Sequence, residues 1–177
     1  MPEGAYLAVE LPGVASVGTD WTREHPGATI DVLLGGPAAA PSLAFLVRGA
    51  PRGSLQDLLE RIRAVHGPPR TLQLDDAGGL WFGTLAMRPD QVADPVARRV
   101  AGFLAAHGLD LQWIRMEDGA SYCRAFVPAD RDPEALVNRL RGFLEAAGID
   151  ADAAIERGAP DELGPWRDLL QRMLAPR

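Results

Sequence analysis

Residues 78 to 157 switch repeatedly between two hydrophobic periods, and that switching restricts the fold more than any other feature of the chain. Leu80-Trp81-Phe82-Gly83-Thr84-Leu85-Ala86-Met87 is aromatic and aliphatic, is bounded by Gly78-Gly79 and Pro89, and reads as a strand. Val96, Val100, Phe103, Leu104 and His107 then recur at helical spacing, with Asp94 placed to cap, Pro95 suited to the first turn and Gly108 as the stop. Leu109, Leu111 and Trp113 alternate with Asp110 and Gln112 as a half-buried strand does. Glu117-Asp118-Gly119 signals a hairpin, with Ser121 to Val127 as its returning strand. Asp132-Pro133-Glu134 opens a second helix carrying Leu136, Val137, Leu140, Phe143, Leu144 and Ala147, ended by Gly148. Ile149 to Glu156 alternates weakly as a last strand. The order βαββαβ is that of the ferredoxin-like unit. Its helices cover one face of an antiparallel sheet, and the other face needs a partner or stays wet.

The first half reads the same way. Ala5 to Leu11 is a strand, Asp20 to His25 a short helical turn, and Ile30, Val32 and Leu34 mark a second strand. Leu43, Phe45 and Val47 mark a third; Ser54 and Asp57 form a capping pair before Leu55, Leu58, Leu59, Ile62 and Val65; Leu72 and Leu74 mark a fourth strand. His25-Pro-Gly before Ile30 resembles His107-Gly before Leu109, an offset of 107 − 25 = 82 residues. Leu58-Leu59-Glu-Arg-Ile62-Arg63 resembles Leu136-Val137-Asn-Arg-Leu140-Arg141, an offset of 136 − 58 = 78. The expected organisation is an α+β tandem ferredoxin-like repeat: 1–77, then 78–158, then a helix over 159–177. That tail helix carries Trp166, Leu169, Leu170 and Met173 on one stripe, which must close the chain's own core or dock on a partner.

Composition sets outer limits. A net charge of −6 argues against a nucleic-acid-binding surface spread over the molecule. All 18 basic residues are arginine. A lone cysteine, Cys123, leaves no internal disulfide and fits a reducing compartment. With no signal-like N-terminus and no apolar run of spanning length, the expectation is a cytoplasmic protein without membrane or direct nucleic-acid contact.

The chemistry-bearing residues have structural explanations first. His25, His66 and His107 sit at or next to the glycine or Pro-Gly that ends a helix, where a ring nitrogen can serve the orphan carbonyls. No histidine pair has ligand spacing, so no metal site and no cofactor is expected. Cys123 reads as a small buried hydrophobe, the glycine pairs as turns, and no carboxylate pair stands out for acid/base work, so no catalytic residue is assigned. Two groups could line a ligand pocket. Trp21, Arg23 and His25 form a dense polar-aromatic cluster, against which stands a tryptophan that simply fills the core. Trp81, Trp113, Tyr122 and Arg124 are expected to share the uncovered sheet face as a ligand platform or an interface.

The arrangement resembles the N-terminal sensor region of bacterioopsin-activator-type helix-turn-helix transcription regulators. The resemblance is carried by Trp21-Thr-Arg-Glu-His25-Pro26 before a strand, by Glu117-Asp118-Gly119 with its hairpin, and by Arg124-Ala-Phe126-Val127-Pro128 through Leu144-Glu-Ala-Ala-Gly148-Ile149. It covers most of residues 5 to 157. Where that family's DNA-reading domain begins, Glu162 to Arg167 offers at most a first helix, so the resemblance implies sensing without DNA binding. ACT-like regulatory modules share the element order and bind small effectors, by fold analogy alone. The expected function is a non-enzymatic regulatory or ligand-sensing protein with a small-molecule effector, forming a homo-oligomer. A small dimeric ferredoxin-like enzyme using the open sheet face, and a protein–protein interaction module, are the alternatives.

Overall fold

A computed structural model describes residues 5–12, 15–35, 42–66, 72–77, 80–86, 95–109, 111–157 and 164–174. The elements in chain order are β1 (Ala5–Leu11), α1 (Val17–Glu24), β2 (Thr29–Gly35), β3 (Ser42–Arg48), α2 (Arg52–His66), β4 (Leu72–Ala77) and β5 (Leu80–Ala86). They continue with α3 (Pro95–Ala106), β6 (Leu111–Glu117), β7 (Ala120–Val127), α4 (Pro133–Ala146), β8 (Asp152–Arg157) and α5 (Gly164–Leu174). The class is α+β.

Local chemistry accounts for the element ends. α1 is a full helix rather than the single turn expected at Asp20, because Ser16 and Thr19 form a reciprocal capping box: Ser16 Oγ accepts from the Thr19 amide at 3.1 Å, and Thr19 Oγ1 accepts from the Ser16 amide at 2.9 Å. α4 begins as expected, with the Asp132 carboxylate accepting from the amides of Glu134 and Ala135. The Ser54–Asp57 cap does not form. α2 starts at Arg52, Ser54 Oγ donates to the Pro51 carbonyl at 2.7 Å, and Asp57 pairs with Arg61 along the helix. Asp94 and the glycines at 78 and 79 lie outside the described residues. Asp118 and Gly119 both take positive φ, which makes the hairpin between β6 and β7 a two-residue turn of the kind that matches strand twist.

The strands form one antiparallel sheet in the order β4-β5-β3-β2-β6-β7-β1-β8. The β2·β6 seam pairs Thr29 to Val32 with Glu117 to Ile114. Outward from it the two sides mirror each other: β2-β3-β5-β4 and β6-β7-β1-β8. On each side the third strand comes from the opposite half of the chain. β1 lies between β7 and β8, with Val9 opposite both Cys123 and Ala153. β5 lies between β3 and β4.

Helices α1 to α4 pack on one face over two cores. One gathers Leu7, Val9 and Leu11 of β1 with Val100 and Leu104 of α3 and Leu136, Leu140 and Leu144 of α4. The other gathers Trp21, Leu55 and Leu58 with Ile30, Val32, Phe45, Val47 and Trp81. At about 1.5–3 kcal/mol per fully buried large side chain, these clusters dominate stability. Trp81 therefore belongs to the helix side, and its expected place on the uncovered face is corrected.

The opposite face has a third core, Leu33, Ala44, Leu46, Phe82 and Trp113, against which Trp166, Leu169 and Leu174 of α5 pack. The tail helix thus closes the chain's own sheet; the side chains of Leu170 and Met173 lie outside the described residues. α5 lies mainly over β3, β2 and β5. This explains why β3 is apolar at successive positions, since both of its faces are buried. No described helix is long and apolar enough to cross a membrane.

Candidate functional site

Among the described residues, the side of the sheet formed by β6, β7, β1 and β8 has helices on one face alone, and its second face carries the site. Three side-chain rows cross it in register. Asp152, Glu10, Tyr122, Arg115 and Asp31 form the first, each opposite the next on the neighbouring strand. Ala154, Ala8, Arg124 and Trp113 form the second, and Glu156, Tyr6 and Phe126 the third. Ala8 and Ala154 are the small members of this surface. Their neighbours rise around them to leave a depression of about 310 Å³ whose lining includes Glu10, Trp113, Arg115, Tyr122, Arg124 and Glu156.

A β-bulge aims Trp113 into this site. The register slips between Leu111 and Trp113, two residues on β6 that strict alternation would put on one face. Leu111 packs against the helix-side core, whereas Trp113 joins the opposite face. The expected regular alternation of Leu109, Leu111 and Trp113 is therefore wrong by one residue, in the place that builds the pocket.

Arg124 is only 8% exposed. Its guanidinium lies 4.6 Å from the Tyr6 ring centroid and 5.7 Å from that of Trp113, and it donates to Glu156 on the edge strand. Arg115 lies 4.8 Å from the Trp113 ring and donates from Nε to Asp31 at 2.8 Å. Asp31, fully buried, also accepts from Arg48 on β3. This Arg48–Asp31–Arg115 triad links the strand under α5 to the open rows. Burial first, then the negative charges of Glu10, Glu117 and Asp118, raise the Tyr122 hydroxyl above its ordinary range.

The other expected cluster is elsewhere. Trp21 is fully buried under α2, its indole Nε1 donating to the Ser54 carbonyl at 3.2 Å. His25 stacks on it at 4.4 Å and donates Nδ1–H to the Trp21 carbonyl at 2.9 Å, capping α1. Arg23 is exposed, paired with Asp20 and donating to the Gly119 carbonyl. Of the five expected ligand residues, then, Trp113 and Arg124 meet in the depression, and Trp21, Arg23 and His25 lie on the other side of the sheet. His107 repeats the His25 arrangement, stacked on Phe103 with Nδ1 2.9 Å from the Phe103 carbonyl. Cys123 is buried in the helix-side core, and burial pushes its thiol up to about 12, which removes nucleophilic thiolate near neutral pH.

Tyr6, Ala8, Glu10, Asp152, Ala154 and Glu156 are site residues that the sequence does not single out. Their period-two spacing puts each trio on one strand face, but nothing local says that β1 pairs with β8. No family model matches the chain, and no curated protein matches it.

Proposed function

We propose that the chain is a non-enzymatic, ligand-sensing regulatory protein built from two ferredoxin-like units that have exchanged their first strands. In such a unit the first strand lies between the third and the fourth, and the second lies outside the third. The order β4-β5-β3-β2 fits that description with β5 in place of β1, and β8-β1-β7-β6 fits it with β1 in place of β5. The matching helix ends support the repeat, since Trp21–His25 and Phe103–His107 recur at 103 − 21 = 82 and 107 − 25 = 82 residues. The proposed relationship to sensor regions of helix-turn-helix regulators rests on the motifs given above.

One observation carries the sensing role. α5 covers the second face on one side of the seam, while among the described residues the corresponding surface on the other side is uncovered, polar-aromatic and concave. An acid/base or nucleophilic role finds less support: His25 and His107 are committed to helix caps, and Cys123 is buried. A docking role for α5 also loses its motivation, because that helix is seated on its own sheet.

A thermal-shift screen against amino acids, amines, nucleotides and organic acids tests the reading. A ligand at about 100 times its Kd adds roughly 2.7 kcal/mol, or about 5–10 °C in Tm for a chain of this size. The shift is expected to vanish in Ala154→Leu, which fills the floor of the depression from an exposed position. A screen with no shift, or a shift that survives Ala154→Leu, would count against the proposal.

A further inference from the structure

We infer that the open face takes a small organic cation, a conclusion that rests on the ligand-sensing reading and names the chemistry of its ligand. The charges around the alanine floor do not balance. Arg124 is paired with Glu156, and Arg115 shares the buried Asp31 with Arg48, so these three arginines meet two carboxylates before Glu10, Asp152 and Glu117 are counted, and five after. Glu10, Asp152 and Glu117 form no ion pair among the described residues. Glu10 and Asp152 lie directly opposite each other on neighbouring strands, beside the paired Ala8 and Ala154. Like charges so placed repel, and a cation seated over the alanines would relieve that repulsion.

Other features agree. The Tyr122 hydroxyl is raised first by burial and then by the negative charges of Glu10, Glu117 and Asp118 at the rim. The half-buried Tyr122 offers ring surface to the organic part of a ligand, beside the wall that Trp113 completes. The described acidic side chains do not gather into a group that could hold a metal ion, so the charge suits an amine larger than a bare cation. Two copies of this face meeting each other would add carboxylate to carboxylate, which disfavours a second chain as the occupant.

Calorimetric titration with two matched series tests the assignment: putrescine, 1,4-butanediol and succinate; and phenethylamine, 2-phenylethanol and phenylacetate. The amines are expected to bind while their neutral and anionic counterparts do not. Affinity should fall at roughly 1 M salt, where the screening length is about 3 Å. Glu10→Gln and Asp152→Asn should each weaken the amine roughly fivefold, the size of a contact ion pair in bulk water. Both positions are exposed and each substitution relieves the Glu10–Asp152 repulsion, so the variants should melt no lower than the parent. Binding of succinate or phenylacetate that Ala154→Leu abolishes would overturn the cation while leaving a ligand site. Amine binding indifferent to both neutralising substitutions would overturn it too. If neither amine binds, the cation is excluded, and the broader metabolite screen with Ala154→Leu decides separately whether the face is a ligand site.

Discussion

Replacing Trp21 by alanine is expected to destabilise the protein by about 3–5 kcal/mol, a large part of the roughly 5–15 kcal/mol typical of a whole domain. The indole is fully buried among Ile30, Val47, Leu55 and Leu58, and truncation leaves a ring-sized cavity in a core whose neighbours are fixed by β2, β3 and α2. It also strands the Ser54 carbonyl that now accepts from Nε1. Urea unfolding should show a lower midpoint with an unchanged slope. Trp21→Phe keeps most of the ring area and should cost less. Ligand-induced shifts should persist in either variant, because Trp21 lies across the sheet from the depression. A loss below about 1 kcal/mol would mean that the ring is not packed as described.

Asp31→Ala is expected to cost a comparable 3–5 kcal/mol, roughly, by a different route. This carboxylate has no exposed surface and accepts from Arg48 and Arg115 across both neighbouring strands. Its removal takes away the carboxylate that both guanidinium groups share across the seam. Arg48 is 29% exposed and can turn toward water, but Arg115 is 14% exposed and held against Trp113. Asp20→Ala serves as the contrast. Its pair with Arg23 is exposed on both sides, and such pairs contribute about 0.2–1 kcal/mol. Equilibrium denaturation that ranked the two carboxylates equally would contradict the buried triad.

The strands and helices are legible in the sequence because their signals are local. Asp132-Pro133 starts α4, Gly108 and Gly148 adopt the positive φ that ends a helix, and Asp118-Gly119 turns the hairpin. Ser16-x-x-Thr19 is equally local, yet threonine in place of the usual acidic partner hides the capping box. Pairing is another matter. The alternation of Tyr6, Ala8 and Glu10 says only that they share a face; that the face lies beside Arg124 and Glu156 depends on a contact with residues more than a hundred positions away. The bulge before Trp113 likewise comes from pairing with β7 and cannot be seen in the periodicity of β6 alone. Two of the five expected residues, Trp113 and Arg124, share the depression because they sit on partnered strands of one hairpin, whereas Trp21 is packed into the core under α2 with His25 stacked on it and Arg23 exposed.

Every site residue contributed by β1 depends on that strand's seat between β7 and β8, and the chain supplies a direct probe of it. Val9 lies opposite Cys123, the only cysteine, and directly paired positions on antiparallel strands have Cα separations within disulfide range. Val9→Cys, refolded from the reduced and unfolded chain in a thiol–disulfide redox buffer so that neither thiol has to react from within the core, should form an intramolecular disulfide, with no thiol available to alkylation after denaturation. Two free thiols in a folded, oxidised sample would place β1 elsewhere and remove Tyr6, Ala8 and Glu10 from the site.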